Sequence, residues 1–170
     1  KNVDDAFSKA KQIASRIHKD QVDKKNYPYM AHISDVASRV SHLGESYEIV
    51  GLLHDAIEDA YPKEFQEKVI DDIKATFDNE IYESILAMTK RSDEDYFQEY
   101  LPRVKDDKFA LQVKIADASH NLSKAHLIED SKLQEKLRAK YMKVLDELGE
   151  DGSLCEKPII FQNGSWVEDE

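Results

Sequence analysis

Leu52-Leu53-His54-Asp55-Ala56-Ile57-Glu58-Asp59 places four proton- or metal-handling side chains directly after the most apolar run of the chain. The periodicity predicts a helix that opens near Ser46 and carries Ile49, Val50, Leu52, Leu53 and Ile57. It is apolar nearly all round from Val50 to Leu53, the mark of a central, buried helix. On a helix, His54 and Glu58 are neighbours one turn apart, and so are Asp55 and Asp59. All four then line one edge of a cleft. Three carboxylates this close repel one another, and burying them unpaired is costly. A bound cation removes both objections. The plainer alternative is a helix C-terminus that turns to solvent with an acidic end.

Outward from this stretch the chain reads as helix after helix. Val3, Ala6, Phe7, Ala10, Ile13, Ala14 and Ile17 form one face, and Asp20 to Pro28 is a loop. A second helix holds Ile33, Val36, Ala37, Val40 and Leu43 and stops at Gly44. Pro62 starts or precedes a fourth with Phe65, Val69, Ile70 and Ile73, and a fifth carries Ile81, Ile85, Leu86 and Met88. The sixth, around Asp93 to Val104, is broken by Pro102. A long helix from about Asp107 carries Leu111, Ile115, Leu122 and Leu127. The last holds Leu133, Leu137, Tyr141, Leu145 and Leu148 and ends at Gly149. The tail differs in kind. Ile159-Ile160-Phe161-Gln162, Asn163-Gly164 and Ser165-Trp166-Val167 make a β-hairpin, because Asn-Gly suits a tight type I′ turn. The expected fold class is all-α, a helical bundle over residues 1–150 with a small C-terminal β-hairpin in the extension 151–170, within the same domain.

Composition narrows the function. Lys plus Arg is 24 and Asp plus Glu is 35 in 170 residues, a net charge of −11 that argues against nucleic-acid polymers and anionic membranes. A single cysteine, Cys155, allows no internal disulfide and points to the cytoplasm. Lys1 to Ala10 is amphipathic rather than signal-like, and no apolar run approaches the roughly 18 residues that span a bilayer.

Two more pieces join the acidic stretch. Pro28-Tyr29-Met30-Ala31-His32 puts a histidine at the entrance of the second helix. Lys114-Ile115-Ala116-Asp117-Ala118-Ser119-His120-Asn121 puts an aspartate in an apolar helix. Together His32, His54, Asp55 and Asp117 are two imidazoles and two carboxylates from three helices. That set suits Mn²⁺, Fe²⁺ or Co²⁺ with open water positions better than a structural Zn²⁺ site, which prefers thiolates.

The order His, then His-Asp, then Asp resembles the HD superfamily of metal-dependent phosphohydrolases. The three blocks resemble, within it, the hydrolase domain of RelA/SpoT-type alarmone enzymes and their small stand-alone relatives, over about Phe7 to Leu148. The resemblance implies an HD-domain bundle with His32, His54, Asp55 and Asp117 as metal ligands and Mn²⁺ as the ion. It implies that Glu58 and Asp59 handle the attacking water, and that Asn121 and Tyr141 contact the nucleotide with Lys24 and Lys25. Lys114 and Lys124 are further candidates to balance phosphate charge, and His120 is expected to support the site. The implied reaction removes the 3′-pyrophosphate from guanosine tetra- or pentaphosphate.

The chain departs from the pattern in His18-Lys19-Asp20-Gln21-Val22-Asp23-Lys24-Lys25, where Asp23 stands in place of an arginine and reverses a charge expected to face the nucleotide. Two alternatives stay open: an HD-type 5′-nucleotidase or other small-nucleotide phosphohydrolase, and a catalytically silent nucleotide-binding domain. A homodimer also stays open, through the hairpin's strand edge. Trp166 reads as a packing anchor, His42 and His126 as surface residues, and Phe97-Tyr100-Leu101 as core.

Overall fold

Helix capping by aspartate organises much of the chain in the computed structural model, which describes residues 3–169 and, of residues 3–5, the backbone alone. Lys1, Asn2 and Glu170, together with the Val3 side chain assigned above to the first apolar face, lie outside the described residues. The α-helices run α1 Val3–His18, α2 Tyr29–Val40, α3 Glu45–Leu53, α4 Phe65–Thr76, α5 Asn79–Ala87, α6 Leu101–Lys105, α7 Lys108–Lys124, α8 Ser131–Glu147 and α9 Gly152–Cys155. Asp78, Asp107, Asp130 and Asp151 each accept a backbone N–H at the start of α5, α7, α8 and α9. Part of the acidity therefore neutralises helix N-termini, where a carboxylate is stabilising. Strands β1 Ile159–Gln162 and β2 Ser165–Glu168 pair antiparallel. The turn between them has φ 53° at Asn163 and 84° at Gly164, which is why Asn-Gly stands there. No described helix is long and apolar enough to cross a membrane.

The all-α bundle with its hairpin is as expected, and three local readings are corrected. First, α3 ends at Leu53, with His54 as its C-cap, so His54–Asp59 is a run of turns and not part of a regular helix. The His54 ring donates Nδ1–H to the Gly51 carbonyl at 2.7 Å. That carbonyl would otherwise take the next N–H of the ladder, so the ring itself stops the helix. The alternative of a helix C-terminus is thus correct in position: the end turns inward at His54, only 2% exposed, while Glu58 reaches solvent. Second, Pro102 does not break a helix. It sits in the first turn of α6, where its missing N–H costs nothing, after a π-turn over Tyr96–Tyr100. Third, Leu127 lies past the end of α7 in a 3₁₀ turn, Ala125–Leu127.

Two apolar clusters share α7. The larger gathers Ala10, Ile13, Ile33, Val36, Val50, Leu53, Ile73, Ile85 and Val113. The smaller gathers Leu101, Leu122, Val144, Leu145 and Leu148. Ala116 belongs to the first and Ala118 to the second, so Asp117 is carried into the interior between them. Tyr100 and Leu101 are buried as expected, and the Tyr100 hydroxyl donates to the Met88 carbonyl at 2.9 Å.

Helices α2 and α3 meet where Gly51 faces Ala37. A Cβ on Gly51 would stand 2.9 Å from Ala37 Cα, closer than backbone allows. Gly51→Ala is therefore expected to lower stability by about 1–3 kcal/mol, read from chemical denaturation. It should also disturb His54, whose ring is held by the Gly51 carbonyl.

Candidate metal and nucleotide site

His32 stands in the first turn of α2, His54 caps α3, Asp55 follows it, and Asp117 lies mid-way along α7. One ligand-type atom from each of the four lies within 4.8 Å of the others. His32 Nε2 is 2.8 Å from Asp117 Oδ1. His54 Nε2 is 3.2 Å from Asp55 Oδ2 and 3.4 Å from Asp117 Oδ1. Because Nδ1–H of His54 is committed to a carbonyl, Nε2 is the nitrogen left for a metal or proton. It is buried and makes no hydrogen bond.

The electrostatics ask for positive charge. Burial would lower His54, but Asp55 and Asp117 hold it well above the ordinary imidazole range. Burial would raise Asp55, yet His54 and the Tyr29 hydroxyl keep it below the usual carboxylate range. Asp117 is likewise held low against its burial, by Lys114, His32 and His54. His32 is lowered by burial and stays neutral. Two buried carboxylates facing His54 Nε2, with a neutral imidazole beside them, suit a divalent transition ion, which would take the place of the Nε2 proton.

Supporting groups surround the cluster. Tyr29 donates its hydroxyl to Asp55. Lys114 Nζ is 3.4 Å from Asp117 Oδ2 and lies over the Tyr96 and Tyr100 rings at 5.4 and 5.2 Å. His120 packs edge-on against His32, centroids 4.5 Å apart, and donates Nδ1–H to Asp35 at 2.7 Å. Burial takes His120 down to about 3, so it is neutral.

Glu58 and Asp59 follow on the turn. The Glu58 side chain reaches solvent, yet protein crowded about its carboxyl raises it to about 7, against the Lys90 N–H that it accepts, and Asp55 and Asp59 raise it further. Asp59 is raised by burial and then by Asp55. Its Oδ2 accepts from Gln21 Nε2 at 3.1 Å, and Gln21 Oε1 accepts from His18 Nδ1 at 2.7 Å. The i,i+4 argument for these pairs is replaced by a turn, although Asp59 N–H still bonds the Asp55 carbonyl at 3.0 Å.

Beside the cluster lies a cavity of about 280 Å³, near the lower end of small-molecule sites at about 300–1,000 Å³. Lys24, Lys25, Asn121 and Tyr141, the substrate-side residues of the sequence reading, all line it. So do Tyr27, Tyr29, Lys124 and Trp166. Lys25 also reaches Glu129 at 3.5 Å.

Asp23, the reversed charge expected to face the nucleotide, lines this cavity and is paired there. Its Oδ1 accepts the backbone N–H of Lys25 and of Tyr27 at 2.9 and 3.0 Å, and its Oδ2 pairs with Lys124 Nζ at 3.2 Å. The aspartate builds the loop and neutralises Lys124, which stands in α7, 101 residues away. Lys140 was missed. Burial lowers it, then Lys114 and Lys24 lower it further, and its Nζ lies over the Tyr96 ring at 5.2 Å, the ring that Lys114 also faces. The available signal was its place beside Tyr141.

No protein-family model matches the chain. A GTP pyrophosphokinase of Myxococcus xanthus is 26% identical over 133 residues, which is 69% of this chain and 17% of that protein. One from Streptomyces antibioticus is 26% identical over 142 residues, 78% of this chain and 16% of that protein. The chain spans about a sixth of the length of these relatives. Among solved structures, a metazoan ortholog of SpoT, described as hydrolysing ppGpp and acting in starvation responses, superposes with a TM-score of 0.67 at 21% identity. The superposition covers 84% of this chain and 85% of that one. The chain shares the fold of that SpoT ortholog. The likeness to RelA/SpoT-type proteins, read first from three motifs, thus recurs in sequence comparison and in the fold.

Proposed function

We propose that this chain is a divalent-metal-dependent phosphohydrolase that removes the 3′-pyrophosphate from guanosine tetra- or pentaphosphate. The observation that carries the reading is the convergence of His32, His54, Asp55 and Asp117 within 4.8 Å, beside a lysine-lined cavity. These four residues would hold the ion, and Mn²⁺ is the ion proposed. When bound, it polarises a phosphoryl oxygen and acidifies water.

In this reading Glu58 is the base. Its carboxyl, raised to about 7, exchanges a proton near neutral pH, and it accepts the Lys90 backbone N–H. Asp59, fixed by Gln21, orients the attacking water. The water oxygen bonds to the 3′ phosphorus as the bond from phosphorus to ribose O3′ breaks. Glu58 takes the water's proton and returns it to O3′ as that oxygen leaves. Lys24, Lys25 and Lys140 balance phosphate charge, while Asn121 and Tyr141 face the nucleoside.

The test is a nucleotide panel with metal-stripped protein reloaded with Mn²⁺ or Mg²⁺, with products identified. Pyrophosphate and GDP from ppGpp are expected with Mn²⁺. Orthophosphate from a 5′-mononucleotide would replace this reading with a nucleotidase. Saturable ppGpp binding without turnover would replace it with a silent binding domain.

A further inference from the structure

The C-terminal hairpin has no part in the reading so far, yet it is fastened to the walls of the cavity. Lys157 N–H bonds the Ser123 hydroxyl at 3.0 Å. His126, an exposed residue as expected, donates Nε2–H to the Ile159 carbonyl at 2.8 Å. Arg138 grips Glu156 through two bonds of 2.9 and 2.7 Å. Ser123 belongs to α7, His126 to the turn after it and Arg138 to α8.

Strand alternation then turns one side chain inward. In β2, Trp166 is 7% exposed while Ser165, Val167 and Glu168 face out. Across the ladder it pairs with Phe161. The indole lies 5.0 Å from the Tyr27 ring, under Lys124 Nζ at 5.6 Å, and 5.3 Å from His120, which itself packs on His32. It borders the cavity together with Tyr27, Asn121, Lys124 and Tyr141. Its indole N–H is buried without a protein acceptor, an arrangement that natural interiors avoid unless another molecule accepts.

We propose that Trp166 makes the hairpin part of the substrate site: it forms the wall that receives the planar base of the nucleotide and sets the preference for base-bearing over bare phosphates. The chemistry of the wall supports a heterocycle. Aromatic edges, an amide, and the Lys124 ammonium with its Asp23 partner border a slot of about 280 Å³, beside the lysines that suit phosphate. A mere anchor would need neither a cavity at its edge nor an unpaired donor. The inference rests on the proposed nucleotide function and deepens it.

Trp166 is the single tryptophan of the chain, so its emission reports on this wall alone. Metal-loaded full-length protein is titrated with GDP, a nucleotide it would release, and separately with inorganic pyrophosphate. GDP should shift or quench the emission saturably, and pyrophosphate should not. Trp166→Ala should raise KM for ppGpp about tenfold, with the effect falling on KM rather than kcat, and Trp166→Phe should restore much of it. Emission unmoved by GDP overturns the proposal, whether or not Trp166→Ala folds. So does a folded Trp166→Ala protein with unchanged KM. Emission that answers to GDP in a protein that hydrolyses no ppGpp would sink the proposed reaction and leave the pocket standing. Turnover of ppGpp with KM indifferent to Trp166 would sink this inference alone.

Discussion

Asp117→Ala is expected to strip the protein of its ion, to lower ppGpp hydrolysis by roughly 10³-fold or more, and to weaken the fold itself. Asp117 is the hub of the cluster. Its Oδ1 faces both histidines, at 2.8 and 3.4 Å, and its Oδ2 faces Lys114 at 3.4 Å. The Lys114 and Asp117 side chains are each 11% exposed. Removing the carboxylate leaves an ammonium buried without its counter-charge, and breaking a pair of this kind costs about 3–5 kcal/mol. Metal content by mass spectrometry, turnover, and denaturation of chelated protein read the three effects separately. A variant that keeps one equivalent of metal and normal turnover would remove Asp117 from the ligand set. His54→Ala should match the loss of metal but not the full loss of stability, since Lys114 keeps its partner.

Glu58→Gln should lower kcat by about 10²–10⁴-fold with metal content unchanged. The pH profile carries the sharper test. The base must be ionised, and its carboxyl is raised to about 7 by the protein crowded about it and by its acidic neighbours. Activity should therefore fall tenfold per unit as pH drops below the break. A bound cation favours the carboxylate, so the break in loaded enzyme lies at or below about 7. The stability effect has the opposite sense. A carboxyl whose folded value stands above its usual 4.5 disfavours the folded state once ionised, so stability falls as pH rises from about 4.5 to about 7. Glu58→Gln lacks that fall and should be at least as stable as wild type at pH 8. Wild-type kcat in this variant, or an acid limb that survives the substitution, would show that another group is the base.

The parts of the fold that sequence revealed are those written in short-range terms. Apolar steps of three and four residues mark α1, α4 and α5, and Asn163-Gly164 marks a turn that needs two positive φ values in succession. The candidate site was legible because its residues sit in compact blocks, each holding one or two side chains. What stayed hidden depends on partners far along the chain or on a side chain competing with the backbone. Asp23 looks like a misplaced charge until Lys124, 101 residues on, is seen against it. Lys140 acquires meaning only when α8 brings it near Lys114 and Lys24. The end of α3 at Leu53 follows from a ring reaching a carbonyl, which periodicity does not register. Pro102 was read as a breaker because position in the first turn of α6 looks, in sequence, like position in the middle of a longer helix.

The spacing of the cluster along the chain has a consequence for timing. His32, His54 and Asp55 are made early, but the carboxylate that joins them is 85 residues beyond His32 and lies in a helix wedged between two apolar clusters. A ribosome-bound chain shorter than α7 carries scattered ligands and no centre. Contacts of such sequence separation form late, after much loop entropy has been spent. The cluster therefore comes into being with the docking of α7, and a nascent or partly unfolded copy lacks it.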